Sequence, residues 1–379
     1  MRAEGKSRRD VLRTLKDFLS EDQDYSQGRI LNALCTTPHP IAKAAHKLFL
    51  NSNLGGPALF PGSRKMEQQV IQNLSSLLHS ETSVGFVVSG GTEANMLALL
   101  AARNKASIEA PEVIVPESAH FSFRKICSLL KLKLVTAPVD ASYRADTHAI
   151  EEQLSKNTVA IVGTAGTPEL GVVDPVKELS ELASSKDVYL HVDAAFGGLI
   201  LPFMKELGYS FEPFDFQLES VKSITVDPHK MGMSTIPSGG ILFRDESYLR
   251  YVETETPYLT ERVQYTFVGT RTASSVAAAW AVFEHLGANG MKKIIGRCIK
   301  LARYLASELE SHGFTLVCPP TLNVVAFRSK NTELLAQQLR RYGWFVSYLQ
   351  RLNCIRVIIM PHIKRSHVDA FLNMLQRNT

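Results

Sequence analysis

Residues 223–232 read SITVDPHKMG. Ile224, Thr225 and Val226 favour a pleated strand, and Pro228, with no N–H to give to a ladder, ends it. Lys230 therefore falls just past a strand end. Taken alone, it reads as a solvated surface amine. A lysine can also form an imine with an aldehyde, provided burial and nearby cations lower its pKa. Which reading holds depends on what else arrives at neighbouring strand ends.

Upstream, the β-rich runs GFVVS (85–89), EVIVPE (112–117), KLKLVTAP (131–138), TVAIVGTAG (158–166) and VYLHVDAA (188–195) mostly alternate with amphipathic segments. Such alternation predicts an α/β domain with a mainly parallel sheet. Downstream come GGILFRD (239–245), a long helix over about 273–310, a run from Thr321 to Phe327, CIRVIIMP (354–361) and a final helix from Ser366 to Leu375. These predict a small C-terminal α+β domain. Towards the amino end, helices are expected over 8–20 and 40–51, a loop over 51–64 and a helix over 65–79. The expected division is an N-terminal helical segment (1–50), a large domain (51–285) and a small domain (286–379).

Composition narrows the function classes. The 379 residues are 45% apolar and 21% charged, and no apolar run reaches the roughly 20 residues that span a bilayer. The opening MRAEGKSRRDVLRTLKDFL is an amphipathic helix, not a secretory signal. The five cysteines are scattered without CxxC spacing, which predicts neither disulfides nor a metal site and fits a reducing cytoplasm. The net charge of +5 is spread along the chain, favouring anionic small molecules over nucleic acid.

Three further stretches carry chemistry. In VVSGGTEANMLALLAAR (87–103), Gly91 and Thr92 stand where a strand passes into a helix, an arrangement that cradles phosphate on backbone N–H groups. A tight turn with Thr92 as a cap and Glu93 in the first turn is the plainer reading. In VYLHVDAAFGG (188–198), Asp193 closes an apolar strand. A carboxylate there costs free energy unless it meets a positive partner, such as a protonated pyridine nitrogen, or caps a turn. In PESAHFSFRK (116–125), His120 follows a strand and can lie flat on a planar ring, or stand near a helix start.

SGGTEAN, the His of SAHFS, HVDAAFGG and DPHK, in this order, resemble the pyridoxal-phosphate-dependent group II amino-acid decarboxylases. DPHKMG followed by IPSGGILF is similar to their archaeal L-tyrosine/L-aspartate decarboxylase branch. The resemblance implies an α/β fold of the type I, aspartate-aminotransferase-like class, working as a cytoplasmic homodimer with shared active sites. It implies that Lys230 holds pyridoxal 5'-phosphate, that Asp193 pairs with the ring nitrogen, and that His120 stacks on the ring opposite Ala195. Gly91, Thr92 and His229 would bind the phosphate, with Thr270 of VGTRTA joining from the neighbouring subunit. Arg356 would receive the substrate α-carboxylate and Tyr258 of ETPYLTE would protonate the α-carbon. His39, with Leu59, Phe60 and Tyr348, is a candidate for the substrate wall.

The implied reaction is α-decarboxylation of L-tyrosine to tyramine, L-aspartate to β-alanine, or both, steps that in archaea feed methanofuran and coenzyme A synthesis. Two departures stand out. Pro168 in TAGTPELG occupies the second position of the family's threonine pair, leaving Thr167 to make the ring contact or no residue at all. That proline resembles the carbon–carbon lyases of sphingoid-base phosphates, which makes lysis of a phosphorylated amino alcohol the alternative reaction. The loop LGGPALFPGS (54–63) also lacks the acidic residue expected of some relatives.

Overall fold

A computed structural model describes residues 1, 3–56, 58–259 and 261–376. Its larger sheet contains β1 (Val84–Val88), β2 (Glu112–Pro116), β3 (Lys133–Ala137), β4 (Thr158–Thr164), β5 (Tyr189–Asp193), β6 (Val221–Val226) and β7 (Gly239–Phe243), in the order β1-β7-β6-β5-β4-β2-β3. β3, β2, β4, β5 and β6 run parallel, and β7 lies antiparallel between β6 and β1. After a short hairpin, β8 (Thr254–Glu255) and β9 (Val263–Gln264), a smaller antiparallel sheet joins β10 (Thr315–Leu316), β11 (Val324–Arg328), β13 (Cys354–Ile358) and β12 (Ser347–Leu349). This is the large-sheet and small-sheet α/β architecture that the resemblance implied.

The helices are α1 (Arg8–Glu21), α2 (Pro40–Leu48), α3 (Pro61–Leu77), α4 (Gly91–Ala106), α5 (Ser122–Leu130), α6 (Thr147–Gln153), α7 (Val176–Lys186), α8 (Leu201–Glu206), α9 (Ser274–Ser311), α10 (Thr332–Arg341) and α11 (Arg365–Gln376). The central strands are buried along their whole length, which is why they read as continuous apolar runs. A crossover between parallel strands returns to the same edge, so the carboxyl ends of β2, β4, β5 and β6 open on one side of the sheet.

Boundaries differ from expectation where backbone chemistry intervenes. α3 starts at Pro61, four positions before the expected Lys65, because proline at the first helical turn has no N–H to leave unsatisfied. The long helix is interrupted at Gly287, whose φ of 54° and ψ of −172° are not helical. The expected border at 285/286 falls beside that break. No helix among the described residues is long and apolar enough to cross a membrane.

Candidate active site

β6 delivers Lys230 as predicted: Pro228 follows the strand, and the chain turns so that Lys230 N–H donates to Asp227 O at 3.0 Å. The Lys230 amine lies 3.1 Å from Asp227 Oδ2, and 16% of the side chain remains accessible. The expected cations are not what surrounds it. Burial alone would lower the Lys230 pKa, yet Asp227 and then Asp193 hold it above the ordinary lysine range.

Lys230 lines a cleft of about 290 Å³ together with Gly91, Thr92, His120, Asp193, Ala195 and His229. The structure thus brings seven of the predicted site residues to one place. Asp193 ends β5, and its carboxylate accepts Asn95 Nδ2–H at 2.8 Å and Ala195 N–H at 3.1 Å. His120 is half-buried, its Nδ1 accepts Ser122 N–H at 3.3 Å, and burial lowers its pKa, so the imidazole is neutral near pH 7.

At the start of α4, Gly90 occupies the capping position and no side chain caps the helix. The first-turn N–H groups are therefore open to an anion. Close approach favours glycine here: a Cβ on Gly91 would crowd Asp227 Oδ2 at 3.1 Å, and one on Gly239 would overlap Gly90 Cα at 2.4 Å. The His229 ring stands against Gly90, and its Nδ1 accepts Ser238 N–H at 3.1 Å, which leaves Nε2–H as a donor, 3.5 Å from Asp227 Oδ2. Burial lowers the pKa of this imidazole as well.

Other expectations find different places. Thr167 does not line the cleft; its Oγ1 accepts Val172 N–H at 3.2 Å inside the turn that Pro168 begins. Thr164, at the end of β4 and paired in register with Asp193, lines the cleft instead. His39 caps α2 by accepting Ile41 N–H at 3.3 Å and packs against His285, outside the residues lining this cleft. Tyr258 sits between β8 and β9 with 86% of its surface exposed, and Thr270 is likewise exposed; neither lines the cleft of its own chain.

Arg356, on β13, lines an adjoining cavity of about 500 Å³ that shares Leu34, His120 and Pro168 with the lysine cleft. Its Nη1 donates to Pro168 O, and its Nη2 donates to Asn32 O at 3.0 Å and Ser347 Oγ at 2.9 Å. A guanidinium has five N–H donors, and the buried Nε of Arg356 has no partner.

Fit to a phosphorylated pyridine aldehyde turns on what the buried polar atoms of the site lack. Thr164 Oγ1 and Asp227 Oδ1 are buried without a hydrogen-bond partner, and both residues line the cleft. Orphaned buried groups are rare in finished proteins and call for an occupant. An open helix terminus for phosphate, a carboxylate for a pyridinium nitrogen and an amine for the aldehyde are all present, so the residues fit the group.

Sequence reasoning passed over Asn95, Thr164 and Asp227. Asn95 and Asp227 lie inside the quoted motifs GGTEAN and DPHK, one helical turn beyond Thr92 and three residues before Lys230 respectively. Thr164 is marked only by its register opposite Asp193.

Comparison with known proteins supplies the remaining facts. Residues 48–330 match the pyridoxal-dependent decarboxylase conserved domain. The probable L-aspartate decarboxylase of Archaeoglobus fulgidus is 46% identical over 364 residues, 96% of this chain and 98% of that protein. The probable L-tyrosine/L-aspartate decarboxylase of Methanothermobacter thermautotrophicus is 49% identical, over 93% of this chain and 98% of its own length. Among solved structures, a sphingosine-1-phosphate lyase from Burkholderia pseudomallei superposes with a TM-score of 0.93 at 28% identity, covering 100% of this chain and 91% of the lyase.

Proposed function

The chain belongs to the pyridoxal-dependent decarboxylase family, and from that premise we propose that it removes the α-carboxylate of L-aspartate as CO₂, forming β-alanine, with L-tyrosine as a second substrate. The observation that carries this reading is the convergence of Lys230, Asp193, His120 and the α4 terminus on one cleft. Aspartate stands first because it is common to the names of both archaeal relatives.

In this reading Lys230 provides the amine that carries the cofactor, and Asp193 accepts from the ring N–H. The N–H groups of Gly91 and Thr92 hold the phosphate together with His229 Nε2–H. His120 and Ala195 bound the ring. When bound, the cofactor accepts the electron pair left on the α-carbon as CO₂ departs. Arg356, with its unpaired Nε–H, receives the α-carboxylate and orients the bond to be broken.

We further infer a cytoplasmic homodimer. The exposure of Tyr258 and Thr270 supports the pairing of two copies, because both residues would then serve the partner's cleft, Tyr258 delivering a proton to the α-carbon.

The lyase alternative is favoured by Pro168 and the superposition, while sequence identity favours the decarboxylases. A parallel assay decides. Holoenzyme is given L-aspartate, L-tyrosine, L-glutamate and a phosphorylated amino alcohol, and the expected outcome is CO₂ from L-aspartate and no aldehyde from the phosphate ester. Aldehyde release without CO₂ from any amino acid would replace this function with the alternative.

A further inference from the structure

Behind Asp193 lies a chain of polar side chains that the chemistry above does not use. Asn95, His191, Ser223 and Thr225 are each no more than 1% exposed. Burying four polar groups in an apolar sheet face is unfavourable unless every one is paired. Here they are paired with one another, and the chain ends at Asp193.

The direction of each bond follows from the carboxylate. Asp193 Oδ2 can only accept, so the Asn95 group at 2.8 Å is the amide Nδ2–H, and Asn95 Oδ1 faces the other way. That oxygen lies 3.0 Å from His191 Nε2 and 2.7 Å from Thr225 Oγ1, so both of those atoms donate to it. With its proton on Nε2, neutral His191 accepts at Nδ1 from Ser223 Oγ–H at 2.8 Å, the nearer of the two Ser223 atoms there, while the Ser223 carbonyl at 3.2 Å receives no proton from the neutral ring. A protonated ring is opposed by burial, which holds the His191 pKa down at about 4. Ser223 thus donates to His191, His191 and Thr225 both donate to Asn95, and Asn95 donates to Asp193.

The hub also joins the elements that build the site. Asn95 lies on α4, one turn after the phosphate cradle, while the sheet register pairs His191 with Ser223 and Asp193 with Thr225 across β5 and β6. β6 is the strand that ends at Lys230.

We propose that Asn95 is the positioning residue for Asp193: its amide, locked by His191 and Thr225, sets the plane in which the carboxylate meets the ring nitrogen and ties α4, β5 and β6 into one register. The inference rests on the proposed pairing of Asp193 with the cofactor. Asn95 itself lines the cleft beside Asp193, and its positioning role is exerted through its hydrogen bond to Asp193.

The test uses holoenzyme variants Asn95→Leu, Thr225→Val and Asp193→Asn, read by kcat, KM and the pH at which the bound cofactor's visible absorption titrates. Asn95→Leu is expected to lower kcat about tenfold or more with KM little changed, the scale on which partners that orient a ligand act. It should also displace the spectral titration, and Thr225→Val should displace it less, in the same direction. If Asn95→Leu does not fold, the Thr225→Val shift decides. A lower melting temperature with unchanged kcat and titration would overturn the proposal, leaving the amide as packing. Asp193→Asn separates the two layers. If it is impaired while Asn95→Leu is not, the positioning role alone fails; if Asp193→Asn itself matches wild type, the pairing it depends on fails too.

Discussion

At the scale of single residues, the site sets Lys230 against carboxylates, and this has a kinetic consequence. The amine must lose its proton to attack an aldehyde, and Asp227 at 3.1 Å holds that proton on. In cofactor-free protein, Asp227→Asn should therefore move the rising limb of the rate of pyridoxal phosphate uptake to lower pH. Stopped-flow absorbance across pH checks this; superimposable limbs would show that Asp227 does not control the amine. Lys230, Asp193 and His120 were legible in the sequence because each follows a β-rich run that marks its place on the sheet edge. Thr164 was not, since only strand register sets it opposite Asp193. His39 was legible as a residue before a helix, and its capping of α2 was the plainer fate.

At the scale of elements, the sheet face behind the site carries a pH signature. His191, on β5, has a pKa of about 4 in the fold, against roughly 6.5 when unfolded. The unfolded chain binds more protons between these values, so stability falls as pH drops from about 6.5 to about 4, by on the order of 3 kcal/mol from this group. Asp174, which accepts the N–H groups of Ala145 and Thr164, acts in the opposite sense. Burial pushes its pKa up to about 6, so its cost is relieved as pH falls through the same region. His191→Gln should therefore lose less stability than wild type between pH 6.5 and 4, as read by urea midpoints. Parallel pH profiles would contradict the neutral imidazole. A second element-scale test concerns the contact between β7 and the start of α4. Gly239→Ala should cost about 1–3 kcal/mol and weaken cofactor retention, because its Cβ would overlap Gly90; an unchanged melting temperature would show that the turn can move aside. The strands of the large sheet were readable from their apolar runs. The two-residue strands β8 and β9 were not, having no room for a periodicity, and neither was the break at Gly287, since a helix can tolerate a single glycine.

At the scale of the whole molecule, the alternation of runs was enough to place a mainly parallel sheet before a small α+β unit, because the central strands of that sheet, unlike the exposed β8, record their burial in their own residues. The proposed completion of each cleft by a second copy is not written in any one segment, for Tyr258 and Thr270 sit on a surface hairpin and the stretch that follows it. Shared sites predict complementation: Lys230→Ala and Tyr258→Phe, each impaired alone, should recover about one quarter of wild-type activity when refolded as an equal mixture, since half the dimers carry one intact site. Activity that never exceeds the sum of the two separate variants would place Tyr258 outside its partner's cleft. In the proposed function the molecule is assembled around Lys230 as the cofactor's attachment point. Borohydride treatment of the holoenzyme makes a lysine–cofactor linkage permanent, and peptide mass spectrometry then locates it. One modified peptide is expected, containing DPHK with the added mass on Lys230; modification at another lysine, or none in protein that retains the cofactor, would rule out Lys230 as the attachment point.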